Sequence, residues 1–265
     1  MFDPLNLFKK KKRKVTLVLG GGSARGLAHI GVLGVFEEKG ITIDNIVGTS
    51  MGALVGASYS VGVSLKEMYS TAEKFSANQL MDPTIPRMGL LAGKKLEAMV
   101  RQLTHGKSFE DCKIPLTVVT TNIETGEEVI YNKGDLVKIV QASCSWPGIF
   151  NPVQIDGKLL VDGGIKNSVP TRIAKSLGAD YILAVDVGFC VRTGKVENIF
   201  QMILQSFQIT GEELNKYQAL EADFAIKVDL GDLNQVSFER AHEAMIKGAA
   251  AAMEKIPALK KDLGL

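Results

Sequence analysis

Two glycine-rich turns, each lying between an apolar run and a helical pattern, constrain this chain more than any other feature of its sequence. The first spans residues 20–26 and follows the apolar run 15–19; the second spans residues 48–52 and follows a predicted strand at 43–47. Apolar runs that alternate with amphipathic stretches are typical of a mostly parallel sheet covered by helices. The sequence therefore predicts an α/β fold with a central, mostly parallel sheet flanked by helices.

The rest of the chain continues the same alternation. Asp156-Gly157 is a strong two-residue hairpin signal between two short apolar runs. Residues 78–93 contain Pro83, Pro86 and two glycines, lack periodicity and are predicted to form a long surface loop. Further strands are predicted at 115–121, 129–132, 153–155, 159–161, 181–187 and 224–228, and helices at 26–39, 50–62, 64–77, 136–142, 198–220 and 238–253.

Charge divides the chain into two unequal parts. Its 265 residues are 46% hydrophobic and 23% charged, which excludes disordered and collagen-like classes, and the formal net charge is +2. Residues 1–14 carry +5, however, and residues 15–265 carry −3. With no internal repeat and no flexible linker in sight, we predict a basic N-terminal arm at 1–14 and a single domain at 15–265.

The basic arm favours one kind of partner, an anionic membrane surface. Phe2, Leu5 and Phe8 could form a short apolar face beside its charges. A solvated tail is the other interpretation of the arm. Nuclear import and a secretory signal are disfavoured. Nucleic-acid binding is also disfavoured, because residues 15–265 are net negative. The charges are those of Lys9, Lys10, Lys11, Lys12, Arg13 and Lys14.

Three well-separated cysteines fit neither a disulfide framework nor a zinc site, and no apolar run reaches the ~20 residues that span a bilayer. We therefore expect a cytoplasmic protein, peripheral at the inner membrane surface if the arm binds lipid. No cofactor and no metal site are expected.

The first glycine-rich turn can bind an anion. Glycines there allow positive φ, and the N-terminus of the following helix adds partial positive charge, so the loop could hold a phosphate or an oxyanion. The dinucleotide fingerprint G-x-G-x-x-G fits neither from Gly20, where the last position is Arg25, nor from Gly21, where the third is Ser23. A nucleotide-binding oxidoreductase is thus a distant alternative. The candidate loop residues are Gly20, Gly21, Gly22, Ser23, Ala24, Arg25 and Gly26.

The second turn fits a nucleophile elbow. Gly48-Thr49-Ser50-Met51-Gly52 matches G-x-S-x-G between a strand and a helix, where Gly48 and Gly52 would avoid clashes and expose Ser50 above the sheet. A nucleophilic serine needs a base. The α/β-hydrolase order of triad residues permits His242, but that fold builds several strands before its elbow and this chain only two, so we expect a non-catalytic histidine.

A third motif follows a predicted strand. Asp162 comes directly after an apolar run and is followed by Gly163 and Gly164, so another group could approach its carboxylate closely. Alone it would be an ordinary Asp-Gly turn. Together with the other two motifs, it favours a functional site at one end of the sheet.

Taken together, these motifs resemble the patatin-like phospholipase family, specifically its small bacterial members. The likeness runs from about residue 15 to 188 and continues weakly to the C-terminus. It is carried by LGGGSARGLAHIGVL at 19–33, GTSMGAL at 48–54, ASCSWPGIF at 142–150 and VDGGIKNSVP at 161–170.

The resemblance implies a three-layer sandwich with a metal-free Ser-Asp dyad. Ser50 then matches the nucleophile, Asp162 the residue that activates it, and residues 20–26 the oxyanion loop. Many relatives have glycine where Ser23 stands, and serine resists positive φ. Arg25 matches a basic residue of the family loop, although an ion pair at the helix start would explain it equally.

From this resemblance we expect a serine hydrolase that cleaves acyl esters of phospholipids or lysophospholipids. The alternative is a membrane-associated regulatory or binding protein whose esterase site is weak or vestigial, with Ser23 as its only hint.

Overall fold

The computed structural model describes residues 13–85, 88–188, 196 and 199–265, except for the side chains of residues 199, 200, 203 and 204. Within these residues, eight strands form one sheet in the order β10-β9-β1-β2-β4-β8-β7, with β5 also paired to β4. The strands of this sheet are β1 Val15–Leu19, β2 Asn45–Thr49, β4 Leu116–Asn122, β5 Glu128–Tyr131, β7 Val153–Ile155, β8 Lys158–Asp162, β9 Tyr181–Asp186 and β10 Phe224–Lys227. A two-stranded parallel ribbon joins β3 Gly89–Leu91 to β6 Gly148–Phe150.

The predicted parallel sheet is confirmed for its central part. Strands β10, β9, β1, β2 and β4 run parallel, and β5, β7 and β8 add antiparallel pairs. The hairpin between β7 and β8 turns at Asp156 and Gly157, both with positive φ, as the two-residue turn requires.

Helices cover both faces of the sheet. Leu17 of β1 packs into one core with α1 and α8, whereas its neighbour Val18 packs on the other face with Ile173 of α6. This alternation is the period of two expected along a strand, and it produces the predicted three layers. The helices are α1 Ala28–Lys39, α2 Met51–Ser60, α3 Leu65–Lys74, α4 Lys94–Leu103, α5 Leu136–Ser143, α6 Thr171–Ser176, α7 Ile199–Ala219 and α8 Ala241–Leu263.

Two glycines let α1 and α8 cross in close contact. A Cβ on Gly31 would lie 1.9 Å from the carbonyl oxygen of Met245, and one on Gly248 would lie 2.1 Å from that of Ala28. Since no side chain fits, the two backbones touch directly. This contact fixes α8 across the helix that follows the first glycine-rich turn.

Several predicted boundaries were wrong. Strand β2 begins and ends two residues later than predicted, and α8 continues past Pro257 to Leu263. The predicted loop 78–93 contains a 3-10 turn, Ala77–Leu80, and strand β3, with residues 86–87 outside the described residues. In the described part of the chain, no helix is long and apolar enough to cross a bilayer.

Candidate active site

Ser50 lies at the junction of β2 and α2 with a backbone that few residues adopt. Its φ is 54° and its ψ is −125°. The flanking glycines are required by space: a Cβ on Gly52 would lie 2.1 Å from the Leu19 carbonyl oxygen, and one on Gly48 would lie 2.7 Å from the backbone of Ala53. The strand, turn and helix therefore have the geometry of a nucleophile elbow.

The register of β4 brings Asp162 next to Ser50. Thr49, the last residue of β2, pairs with Val119 of β4, and Asp162, the last residue of β8, pairs with the next residue, Thr120. Because β5 occupies the other edge of β4, β2 and β8 share one edge. They run in opposite directions, so their carboxyl ends meet.

At this meeting point the Oγ of Ser50 donates a hydrogen bond of 2.6 Å to Oδ2 of Asp162. The other carboxylate oxygen accepts the N–H of Gly164 at 2.7 Å. A Cβ on Gly163 would lie 2.5 Å from the Val119 carbonyl oxygen, so this turn also requires glycine. Asp162 is 8% exposed, and burial raises its pKa to about 6, while the bonds from Ser50 and Gly164 act in the opposite direction.

Ser143, the last residue of α5, links the backbone of Ser50 to strand β4. Its Oγ accepts the N–H of Ser50 at 2.8 Å and donates to the carbonyl of Val119 at 2.7 Å. No sequence motif predicted a role for Ser143. Its only signal was its place in the stretch 142–150, which the resemblance included.

The N–H groups of the glycine-rich loop divide into two sets. Gly20 donates to the Val185 carbonyl and Gly21 donates to that of Ser168. Among the described residues, no acceptor lies within reach of the N–H groups of Gly22 and Ser23, and both residues line the cavity that contains Ser50. These two N–H groups are therefore free to hold an oxyanion.

Ser23 has a φ of 50°, in the left-handed region. The loop thus adopts with serine the backbone that glycine would take without strain. The following 3-10 turn, Ser23–Leu27, leads directly into α1.

Arg25 lies under this loop, away from the cavity. It is 4% exposed, its Nε donates to the carbonyls of Val187 and Gly188, and Nη1 donates to those of Leu233 and Gly231. These contacts hold the loop against two distant segments. Ala24, Arg25 and Gly26 are buried, and neither they nor Gly20 line the Ser50 cavity.

The histidines lie outside the dyad. His29 is fully buried, its Nε2 donates to the Gly20 carbonyl at 2.7 Å, and burial lowers its pKa to about 4, so it is neutral. His105 and His242 lie on the surface, where they pair with Glu67 and Glu73. The carboxylate of Asp162, and not an imidazole, therefore faces the serine hydroxyl.

The cavity above the dyad measures about 100 Å³. Cys144 lines it, and burial and the neighbouring Asp162 raise the pKa of its thiol well above the usual value, so Cys144 is protonated. The walls combine loop backbone with apolar side chains and are formed by Gly21, Gly22, Ser23, Ser50, Cys144, Trp146, Phe150, Asp162, Gly164, Ile165, Ser168, Phe207 and Gln235.

The chain matches a protein family model and several curated proteins. The patatin-like phospholipase family model matches residues 17–175. An uncharacterized NTE family protein of Mycobacterium tuberculosis is 37% identical over 177 residues, which cover 66% of this chain and 49% of that protein. The lysophospholipase nte1 of Aspergillus fumigatus is 36% identical over 182 residues, covering 66% of this chain and 12% of that protein.

A human relative and two solved structures extend the comparison. Patatin-like phospholipase domain-containing protein 6 of Homo sapiens is 35% identical over 182 residues, 66% of this chain and 13% of that protein. The chain therefore spans about half or less of the curated relatives it matches. VipD from Legionella pneumophila aligns with a TM-score of 0.57 at 14% identity, over 94% of this chain and 67% of that chain. The type III effector protein ExoU of Pseudomonas aeruginosa aligns with a TM-score of 0.52 at 14% identity, over 94% and 53%. These two likenesses concern the fold.

Proposed function

This chain belongs to the patatin-like phospholipase family, and we propose that it is a serine hydrolase that cleaves acyl ester bonds of phospholipids or lysophospholipids. The observation that carries the proposal is the 2.6 Å hydrogen bond from Ser50 Oγ to Asp162, beside the unpaired N–H groups of Gly22 and Ser23. A nucleophile, its base and two oxyanion donors thus surround one small cavity.

The reaction proceeds through an acyl-enzyme. Ser50 Oγ attacks the ester carbonyl carbon as its proton moves to Asp162, and the N–H groups of Gly22 and Ser23 stabilise the oxyanion. The tetrahedral intermediate collapses, the C–O bond to the alcohol breaks, and the alcohol leaves with the proton from Asp162. Asp162 then takes a proton from water, hydroxide attacks the acyl-enzyme, and the returning proton regenerates Ser50 as the fatty acid leaves.

The environment of Asp162 suits a base that works near neutral pH. A pKa of about 6 leaves the carboxylate ionised at pH 7 and brings its basicity closer to the working pH than that of an exposed aspartate. The bond from Gly164 fixes one oxygen, so the other stays directed at Ser50.

The names of two relatives support lipid substrates. The fungal relative is named a lysophospholipase and the human one a patatin-like phospholipase domain-containing protein. We extend this lipid class to the present chain, while the choice between diacyl and lysophospholipids is a matter for measurement.

The test is fatty acid release from phosphatidylcholine and lysophosphatidylcholine by wild type and Ser50→Ala in the presence of chelator. Wild type is expected to release fatty acid and to react with a fluorophosphonate at Ser50, and Ser50→Ala to do neither. Ser176→Ala, at an exposed serine of α6, is the matched control and should behave as wild type. Undiminished hydrolysis by Ser50→Ala would refute the mechanism.

The same labelling separates the rival function, a membrane-associated regulatory or binding protein with a vestigial site. A folded wild-type protein that leaves Ser50 unlabelled would favour that alternative. The free N–H of Ser23 supports the enzyme, because serine at this position still offers the donor that glycine would.

We also propose peripheral contact with anionic membranes through the basic arm, at the inner surface of the cytoplasmic membrane, with no nucleic-acid partner. Lys9, Lys10, Lys11 and Lys12 lie outside the described residues. Arg13 is held at the body, with its guanidinium 4.5 Å from the Tyr181 ring and beside Asp262. Sedimentation with acidic and neutral vesicles, with and without residues 1–12, tests the proposal; equal binding by the shortened chain would refute it.

A further inference from the structure

A second, larger cavity of about 650 Å³ lies among α1, α2, α3 and α4. Its floor is apolar and buried, formed by Ile30, Leu54, Val55, Met68 and Phe238 among others. The cavity is also lined by Ser58, whose hydroxyl donates to the Leu54 carbonyl, and by the half-buried Ser70 and Thr71. Its volume falls in the range of cavities that hold small molecules, and the buried floor residues offer such a molecule mainly apolar contact.

The rim of the cavity is positively charged. Lys74, in the last turn of α3, and Lys95, in the first turn of α4, are both exposed and line the cavity. No acidic residue lines it, and within the described residues neither ammonium group has an ion-pair or hydrogen-bond partner. Of the nearby acids, Glu73 and Glu97 pair with His242 and Arg101, and Asp82 accepts the backbone N–H groups of Gly93 and Lys95.

The two cavities share no lining residue. Met51, next to the nucleophile in sequence, forms part of the wall of the large cavity and does not line the small one. Its side chain fills the space beside Gly26, where a Cβ would lie 2.5 Å from the Met51 Cγ. A molecule in the large cavity therefore contacts this wall and not the serine hydroxyl.

We propose that the large cavity binds a long-chain fatty acid, with its chain on the apolar floor and its carboxylate between Lys74 and Lys95. Apolar floor and cationic rim together match a single-chain anionic amphiphile. The proposal concerns a site separate from Ser50 and stands whether or not Ser50 is catalytic. The basic segment 1–12 is a poor occupant, since its four lysines carry the same charge as the rim.

The first experiment measures binding to the Ser50→Ala protein by calorimetry, with octanoate, decanoate and laurate kept below their micelle concentrations. Each two added methylenes should tighten binding by about fifteenfold, since burial of one methylene is worth about fourfold. Decanol and decyltrimethylammonium should bind at least fivefold more weakly than decanoate. Equal binding of all three ten-carbon probes would overturn the proposal.

Variants then locate the site. The double variant Lys74→Gln/Lys95→Gln should weaken laurate binding by about fivefold, because two partly exposed charges are lost. The matched control Lys66→Gln/Lys94→Gln changes two exposed lysines of the same helices that do not line the cavity, and should bind as the parent does. Ala98→Trp, at the exposed rim on α4, should block the entrance and weaken binding at least tenfold without altering the circular dichroism spectrum.

Modification of wild-type Ser50 with a small fluorophosphonate distinguishes the two cavities. Laurate should bind the modified protein with unchanged affinity. Loss of laurate binding on modification would overturn the proposal, because the ligand would then occupy the Ser50 cavity. The proposal would also be overturned if the double lysine variant and Ala98→Trp both bound laurate as the parent does. Binding that is lost only when residues 1–12 are removed would do the same.

Discussion

Ser50 directly follows a parallel strand and has a positive φ of 54°, whereas Asp162 ends an antiparallel strand with φ of −50° and ψ of 127°, which any residue can adopt. The two side chains meet at 2.6 Å but are positioned by different means. A strained backbone positions the nucleophile, which is neutral. Burial raises the pKa of the base, because its charge is costly to remove from water. Backbone strain is therefore located at Ser50 and the electrostatic cost of burial at Asp162, so a substitution can change either one alone.

The largest effect is expected from Asp162→Asn, which keeps the shape of the side chain and removes the base. We expect kcat to fall about 10²- to 10⁴-fold, as is typical when a general base is lost. Thermal stability should be maintained or increased, because a buried charge disappears from the fold. Ester hydrolysis and thermal unfolding at pH 7.5 measure both.

Ser50→Ala is the matched control, since it removes the nucleophile and keeps the charge. It should lose activity without the gain in stability. Activity of Asp162→Asn within tenfold of wild type would show that Asp162 is not the base.

The second effect is on pH dependence. With the pKa of Asp162 raised to about 6, its reactive carboxylate form decreases tenfold per pH unit below that value, so fluorophosphonate labelling at pH 4 should be about a hundredfold slower than at pH 8. Because the folded pKa lies above the unfolded one, the stability from protonated Asp162 is present below about pH 4 and is lost as pH rises through about 6.

Labelling of wild type across pH 4–8 measures this profile, with Asp162→Asn as control. The variant should label slowly at all pH values, without an inflection near 6. An inflection retained in the variant would assign the titration to another group.

The strand and turn that position Ser50 could be predicted from local sequence. The apolar run Val15–Leu19, the glycines at 48 and 52 and the Asp156-Gly157 turn were each predictable, because each depends on neighbours within a few residues. The pairing of Asp162 with Ser50 depends on the register of β4 with two strands, one far along the chain. Among the features of the sequence, only the resemblance to a family predicted it.

Other parts carried no local signal. Ser143 acts through backbone groups of Ser50 and Val119, which no spacing reveals. Helix α4 was not predicted. The large cavity is lined by residues of four helices and by Phe238, in the 3-10 turn before α8. Its lysines look in sequence like any solvated helix face.

The third prediction tests how far strain at Ser50 depends on Ser143. Ser143→Ala leaves the Ser50 N–H and the Val119 carbonyl without partners, which should cost about 2 kcal/mol of stability and lower kcat about tenfold. Urea unfolding and ester hydrolysis measure these changes.

Ser145→Ala is the matched control two residues further on. The Ser145 Oγ donates only to the Gln141 carbonyl, one helical turn before it, so kcat should be unchanged. Equal losses in both variants would mean that Ser143 contributes to packing and not to the elbow.

The smallest effect is expected at Ser23, the second strained serine at the Ser50 cavity. Its φ of 50° disfavours any residue with a Cβ by about 1 kcal/mol, and Ser23→Gly removes that strain while increasing the freedom of the unfolded chain. The net gain in stability should be about 0.5 kcal/mol, and activity should stay within twofold because glycine offers the same N–H. Ser76→Gly, at an exposed serine with φ of −128°, should instead destabilise the protein. Two results would contradict this prediction: a loss of stability in both variants, or a tenfold change in the labelling rate of Ser50 in Ser23→Gly. Either would mean that the side chain of Ser23 has a role in the oxyanion loop beyond that of its backbone N–H.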